Sequence, residues 1–243
     1  MLVLIAAGIG TALATGLGAI PVFMLADRAR ALRAPLWGFA AGVMAVASVV
    51  GLLLPALDEG SGWEIGGGLA AGLLFLAAVR RRLRSSDLHV GAVRGAGART
   101  SVLVFSVLLI HSLPEGFAIG TAYASDVAGL SAFVIAAIAL QNVPEGTSVA
   151  IPMSAAGFGR GQQFWAAVLT SAPQPLGAAL AYGLVETVEG LLSISFAFAA
   201  GAMLALIASD LAPRALRERA GAGAMGILAG AAAMIALSLA LGV

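Results

Sequence analysis

The sequence has 243 residues, of which 60% are hydrophobic and 10% charged, with a mean hydropathy of +1.02. A soluble domain of this length needs far more polar surface, so the composition indicates an integral membrane protein. The net charge of +1 gives no indication of nucleic-acid binding, and the lack of cysteine excludes disulfides and thiolate metal sites. The apolar N-terminus has neither a basic n-region nor a clear cleavage site, so we interpret it as a first membrane span and not as a removable signal.

Nearly uncharged segments, most of them long enough for a membrane helix of about 20 residues, recur along the chain. They predict an all-α protein with eight spans forming a single transmembrane domain over residues 1–243, because the runs are too long for barrel strands and do not alternate. The predicted spans are 2–25, 35–57, 65–79, 101–124, 127–155, 162–185, 190–209 and 221–242. The loop at about 80–100 is predicted to be a flexible linker, and we interpret His89 within it as a solvated side chain and not as a metal ligand.

The distribution of charge predicts the orientation in the membrane. All 13 basic residues are arginines, and they fall in the connections after spans one, three, five and seven. The other connections carry acidic residues and no base. The positive-inside rule therefore places the arginine-bearing loops in the cytoplasm and both termini outside, and the regular alternation supports the count of eight.

Spans four and five each contain a short polar segment inside an otherwise apolar run, and the two segments are similar to each other. His111 precedes Glu115 by four residues in HSLPEG, and Gln141 precedes Glu145 by four residues in QNVPEG. Residues i and i+4 share one face of a helix, so each span presents a pair of polar side chains. The proline inside each segment removes a backbone donor and leaves a carbonyl oxygen free beside the pair.

The chemistry of these four side chains favours a small dication. Imidazole nitrogen with carboxylate and amide oxygens suits zinc and other first-row divalent ions. Two glutamates balance a 2+ charge, and when the metal leaves we expect them to bind protons, so that metal loading releases protons. The alternative is a structural role, in which two protonated glutamates form hydrogen bonds between helices, but the matched pair of motifs favours function. A protease is disfavoured, because the sequence has no HExxH motif and only two histidines.

The two segments resemble those of the ZIP (Zrt/Irt-like) family of divalent-metal transporters, in its bacterial GufA-like branch. Supporting matches are AGVM at 41–44 and LLPALD at 53–58 in span two, PQP at 173–175 in span six, and GAML at 201–204 with Asp210 and Pro213 in span seven. The resemblance implies a 3+2+3 arrangement, in which spans one to three and six to eight form an inverted repeat around the central pair. It also implies a dimeric, elevator-type carrier in which spans one, four, five and six move against spans two, three, seven and eight.

The resemblance also implies roles for individual residues. The main metal site would consist of His111, Glu115, Gln141 and Glu145, with the thioether of Met44 from span two. Asp58 corresponds to an acidic residue at the outer entrance and Asp210 to one near the cytoplasmic exit, although a solvated helix end is an alternative interpretation of both.

Three positions depart from the pattern of relatives that hold a second metal beside the first. Those relatives use Asn after the histidine, Asp after the glutamine and Glu in span six. Here these positions are Ser112, Asn142 and Gln174, and the residue before Asp210 is Ser209 instead of the frequent histidine. Because coordination number and ligand charge set metal affinity, the changes predict a single-metal site with at most a weak polar neighbour.

We therefore expect a plasma-membrane carrier, without a prosthetic group, that moves a divalent transition metal into the cytoplasm. Zinc is the leading substrate, followed by cadmium, iron(II), manganese and cobalt. The expected partners are the metal ion, the lipid bilayer and a second copy of the chain, and no nucleic acid. Two alternatives are a passive metal channel, which a tight multidentate site disfavours, and a membrane metal sensor that does not transport.

Overall fold

The computed structural model describes residues 1–85, 96–188 and 190–243, and all regular structure in these ranges is helical, with no strand. The sequence favours helices because alanine and leucine are frequent and prolines are few. The α-helices are α1 Leu2–Leu17, α2 Ile20–Leu25, α3 Arg33–Ser48, α4 Leu54–Glu59, α5 Gly62–Ser85, α6 Ala96–Ala124, α7 Leu130–Ala155, α8 Arg160–Thr170, α9 Pro173–Thr187, α10 Leu191–Leu206 and α11 Ala212–Leu241. A 3₁₀ segment, Ala26–Leu32, joins α2 to α3.

Five helical stretches in the described part of the chain are long and apolar enough to cross a bilayer. They are Leu2–Leu25, Arg28–Glu59, Gly62–Arg82, Leu130–Ala155 and Leu191–Leu241. The last has 51 residues and a non-helical backbone at Arg219, and one crossing takes only about 20 residues. The protein is therefore an all-helical, multi-pass membrane protein, as the composition predicts.

Two π-helical segments connect neighbouring helices without a loop. Val49–Leu53 joins α3 to α4, and Ile207–Leu211 joins α10 to α11. In both cases a proline follows two residues later, at Pro55 and Pro213. Proline has no N–H to give to the residue four positions back, and the wider π turn takes up the mismatch in the hydrogen-bond ladder.

Helix ends differ from the predicted span boundaries at several places. α7 begins at Leu130 and not at 127, because Gly129 adopts a left-handed conformation with φ of 78°. The span predicted at 162–185 consists of α8 and α9, with a break before Pro173, which cannot donate to the preceding turn. The linker predicted at about 80–100 is shorter, since α5 continues to Ser85 and α6 begins at Ala96, while His89 lies outside the described residues.

The helices can be divided into two groups; close glycine contacts join the helices of the first, and in the second they join α3 to α11 and α5 to α10. The first group contains α1, α6, α7, α8 and α9, and the second contains α3, α5, α10 and α11. A Cβ added to Gly146 of α7 would overlap the carbonyl oxygen of Thr15 in α1, and one added to Gly42 of α3 would overlap that of Ile227 in α11. Backbone contacts of the same kind within the first group occur at Gly8, Gly18, Gly116, Gly120 and Gly177, and within the second at Gly38, Gly68, Gly72, Gly201, Gly226 and Gly230.

Aromatic side chains lie at two contacts between the groups. The Phe117 ring of α6 packs edge-on against the Phe198 ring of α10, with centroids 5.3 Å apart, and Gly51 faces the ring of Phe133. At the loop before α7, by contrast, Gly129 lies against the backbone of Leu241. Membrane helices associate most closely where small residues let their backbones meet, so the glycine contacts within the groups bring helices closer than the aromatic contacts between the groups do.

Candidate metal centre

The two proline-containing segments lie in the interior of α6 and α7. Pro114 is inside α6, and Pro144 and Pro152 are inside α7. Both helices continue through these prolines, so the one-turn spacing that the sequence predicts within each polar pair is retained.

A hydrogen bond joins the two helices at Glu115. Gln141 Nε2 donates to Glu115 Oε1 at 2.7 Å, and Gln174 Nε2 of α9 donates to Glu115 Oε2 at 2.8 Å. All three side chains are at most 1% exposed. This contact sets position 115 of α6 opposite position 141 of α7.

The antiparallel course of the two helices brings the other pair to a common level. α6 and α7 are joined by the short loop 125–129, so they run in opposite directions. Four residues before Glu115 is His111, and four residues after Gln141 is Glu145, so both lie about 6 Å further along the axis on the same side. His111 is 3% exposed and Glu145 2% exposed. The four side chains thus form two levels between the helices, Glu115 opposite Gln141 and His111 opposite Glu145, which we call the two rungs.

Three of these four residues have a buried polar atom without a hydrogen-bond partner among the described residues. The atoms are His111 Nδ1, Gln141 Oε1 and Glu145 Oε1. A buried polar group without a partner costs roughly 1–3 kcal/mol, and native structures leave few of them. The three atoms are an imidazole nitrogen and two oxygens, a donor set that suits a divalent transition metal.

Met44 lies at the level of the same rungs. α3 and α7 are antiparallel, since Gly51 faces Phe133 and Val134 while Arg33 and Trp37 share a cavity with residues 148–155. Met44 is seven residues before Gly51, and Gln141 is seven residues after Val134, so the two are level. Met44 is fully buried, as is Ser48 one turn later, whose hydroxyl also lacks a partner among the described residues.

The acidic and imidazole groups alone do not form a ready-made site. Within the described ranges, no three His, Asp or Glu side chains come together at metal-binding distances. The amide of Gln141 lies against Glu115 and turns its nitrogen toward that carboxylate. The oxygen of the same amide, Gln141 Oε1, has no hydrogen-bond partner among the described residues.

The three positions at which the sequence predicts no second metal, Ser112, Asn142 and Gln174, take part in direct protein hydrogen bonds. Asn142 Nδ2 donates to the Thr11 carbonyl at 2.7 Å, and Thr11 Oγ1 donates to Gln174 Oε1 at 2.7 Å. The amides of Asn142 and Gln174 also contact each other at 3.2 and 3.3 Å. Ser112 donates to the Thr170 carbonyl at 2.8 Å. All of these groups are buried, so the space beside the main rungs is filled with neutral, mutually bonded side chains.

Thr11 is a buried partner of Asn142 and Gln174 that the sequence analysis did not identify. A threonine in an apolar helix usually bonds to its own backbone, and Thr11 Oγ1 does lie 2.9 Å from the Gly8 carbonyl. The signal in the sequence was a polar residue in the apolar span one, four residues before a second threonine, Thr15. In the structure the hydroxyls of Thr15 and Ser171 are 2.6 Å apart.

The two acidic residues that the sequence predicts on the ion pathway have different surroundings. Asp58 is exposed near the end of α4. Asp210 is buried in the second π segment, where Arg214 lies 2.7 Å away and Arg80 of α5 lies 3.7 Å away. Arg80 also donates to Ser209. The sequence predicted Asp210 as an acidic exit residue but gave no indication of these two arginine partners.

Comparison with known proteins connects this arrangement to a family. The sequence profile described as ZIP zinc transporter matches residues 81–238, more than half of the chain. The zinc transporter ZIPB of Bordetella bronchiseptica is 32% identical over an alignment 246 residues long, gaps included, which covers 94% of this chain and 78% of the relative. The chain belongs to the ZIP zinc transporter family.

Two further relatives agree with this assignment. The zinc transporter GufA of Myxococcus xanthus is 29% identical over 215 residues, covering 84% of this chain and 85% of its own length. A longer Arabidopsis thaliana protein, also named as a zinc transporter, is 31% identical over 214 residues, and this chain spans 33% of its length. Membership of the ZIP family identifies the protein as a membrane transporter and not an enzyme.

Proposed function

We propose that this ZIP protein is a carrier that imports a divalent transition metal across the plasma membrane, with zinc as the preferred substrate. The metal binds between α6 and α7 to His111, Glu115, Gln141 and Glu145, with the Met44 thioether as a fifth ligand. The observation that carries the proposal is the set of three buried, partnerless ligand atoms on two facing rungs. The zinc transporters named among the relatives support zinc as the substrate.

A single metal ion binds in this site. The adjoining volume, where a second ion would lie, contains the Thr11, Asn142 and Gln174 network. Neutral amides bonded to one another and to Glu115 contribute no negative charge with which to offset a second dication, and opening the network would leave several buried groups without partners.

Transport follows an elevator-type movement of the first helix group against the second. The first group contains the helices that carry Thr11, His111, Gln141 and Gln174, so both the site and its supporting network belong to one body. Glycine contacts join helices within each group, whereas the interface between the groups includes side chains such as Phe117 and Phe198. This division agrees with eight spans in a 3+2+3 inverted repeat, in which spans one, four, five and six move together.

The route of the ion crosses the membrane from Asp58 to Asp210. Asp58 is exposed at the outer end and attracts cations, while Asp210 lies on the arginine-rich side, which the positive-inside rule places in the cytoplasm. Glu115 and Glu145 take up protons when the metal leaves, because two carboxylate charges in a buried site are costly. Both termini lie outside, and the protein is a homodimer as the family resemblance implies.

Metal flux into sealed vesicles tests this function. The purified protein is reconstituted, and uptake of zinc, cadmium, iron(II), manganese and cobalt is compared between wild type and Glu145→Ala. We expect saturable, strongly temperature-dependent zinc uptake, which falls at least about tenfold in the variant, because even partners of metal ligands cost about 10–100-fold when removed. Glu186→Ala, which removes an exposed carboxylate, serves as the control and retains wild-type uptake.

The alternatives predict different results in the same assay. A channel gives unsaturated flux with weak temperature dependence, and a sensor binds the metal but admits none. Either result would contradict the carrier, and equal uptake by wild type and Glu145→Ala would contradict the site.

A further inference from the structure

A small cavity with three arginines lies one helical turn beyond Glu145, toward the arginine-rich side. It has a volume of about 220 Å³, and Arg30, Arg33 and Arg214 line it together with Trp37 and Ser148. Ser148 connects it to the metal centre, because its hydroxyl donates to the Glu145 carbonyl at 2.6 Å. The cavity is smaller than the roughly 300–1,000 Å³ typical of pockets for drug-sized ligands, so it suits a small ligand or one group of a larger one.

The arginines around this cavity outnumber the carboxylates that partner them. Arg33 lies 3.4 Å from Glu218, and Arg214 lies 2.7 Å from Asp210, which Arg80 shares at 3.7 Å. Arg30 has no acidic partner among the described residues. Among the side chains that the structure describes here, four guanidinium groups and two carboxylates leave a local charge of +2, which an anion would neutralise.

The geometry favours a phosphate group over a simple halide. Guanidinium groups form paired, planar hydrogen bonds that match the oxygens of phosphate, and the Ser148 hydroxyl supplies a further polar group at the base. Arg214 already stacks over the Trp37 ring, with its guanidinium carbon 5.2 Å from the ring centroid, which fixes the direction of that guanidinium. Basic pockets between membrane helices on the cytoplasmic side are also places where lipid headgroups bind.

We propose that this cavity binds a phosphate group, supplied either by free inorganic phosphate or by the headgroup of an anionic phospholipid. The cavity lies between α7 of the first group and α3 and α11 of the second, so the bound phosphate bridges the two groups. It also screens the positive charge that a metal ion leaving Glu145 would otherwise meet. The binding itself does not depend on the identity of the transported metal.

Thermal unfolding of the full-length protein, delipidated in the phosphate-free detergent dodecyl maltoside, tests the proposal. One arm titrates inorganic phosphate at constant ionic strength against chloride, and the second titrates phosphatidylglycerol, with oleate as an anionic lipid that has no phosphate. We expect a saturable rise of the unfolding midpoint in at least one arm, since a ligand that binds only the folded state stabilises it. A rise with phosphate identifies the free anion, and a rise with phosphatidylglycerol alone identifies the lipid headgroup.

Arg30→Gln and Arg28→Gln form the matched pair of variants. Both residues are exposed arginines of the same 3₁₀ segment, but only Arg30 lines the cavity. Arg30→Gln should raise the half-maximal concentration about tenfold or more, the effect of losing a charge-assisted hydrogen bond, whereas Arg28→Gln should leave it unchanged. No rise in either arm, an equal rise with oleate, or equal behaviour of the two variants would overturn the proposal.

Discussion

Replacing the amides of Asn142 and Gln174 by carboxylates should convert the single-metal site into a two-metal site. In the double variant Asn142→Asp with Gln174→Glu, two amide donors are lost, one to the Thr11 carbonyl at 2.7 Å and one to Glu115 at 2.8 Å. Each buried group left without its partner costs roughly 1–3 kcal/mol, so the metal-free variant should be about 2–6 kcal/mol less stable than wild type. Repulsion between the new carboxylates and Glu115 adds to this loss.

Bound zinc should offset this loss of stability, because the two new carboxylates become metal ligands. We expect one bound zinc ion per chain in the wild type and two in the double variant, measured by equilibrium binding with elemental quantification of the purified protein. The unfolding midpoint of the variant should be low without zinc and recover when zinc is added. The control, Asn142→Ala with Gln174→Ala, removes the same donors without adding ligands, so it should remain unstable and bind one ion. Two ions in the wild type, or one ion in a double variant that zinc does stabilise, would refute the reasoning.

Two further predictions concern the helix groups. Gly42→Ala should lower the free energy of unfolding by about 1–3 kcal/mol or more, because the added Cβ overlaps the Ile227 carbonyl oxygen. In the control Gly66→Ala the added Cβ meets nothing within 4 Å, so thermal unfolding should be unchanged. Equal effects of the two variants would contradict the packing. The chain has no cysteine, so paired cysteines can be introduced and joined by a short bifunctional thiol reagent. Linking cysteines at positions 117 and 198, whose phenylalanine ring centroids are 5.3 Å apart across the two groups, should abolish vesicle uptake. Linking cysteines at positions 75 and 198, whose ring centroids are 5.7 Å apart within the second group, should leave uptake intact, and the reverse result would rule out the sliding interface.

Much of the candidate site was predictable because its signals are local in sequence. His111 with Glu115, and Gln141 with Glu145, are one helical turn apart, and ionisable groups in apolar helices are costly enough to stand out. Their burial fits this interpretation. The all-helical membrane architecture was similarly predictable from composition and run length.

The remaining features depend on tertiary contacts that no local pattern records. The pairing of Asp210 with Arg80 joins residues 130 positions apart, and the contact of Thr11 with Gln174 joins residues 163 apart. The two π segments also escaped prediction, although each has a proline two residues beyond it. A proline after an apolar run indicates an interruption of the helix, but it does not distinguish a break, as before Pro173, from a widened turn that lets the helix continue.

X-ray absorption at the zinc edge tests the central claim most directly, because the chain has only two histidines. The zinc-loaded wild type should show oxygen and nitrogen neighbours at about 2.0–2.2 Å together with the outer-shell scattering of one imidazole. That imidazole signal should persist in His89→Ala and disappear in His111→Ala. An imidazole signal that survives His111→Ala, or is lost in His89→Ala, would contradict the placement of the metal between α6 and α7.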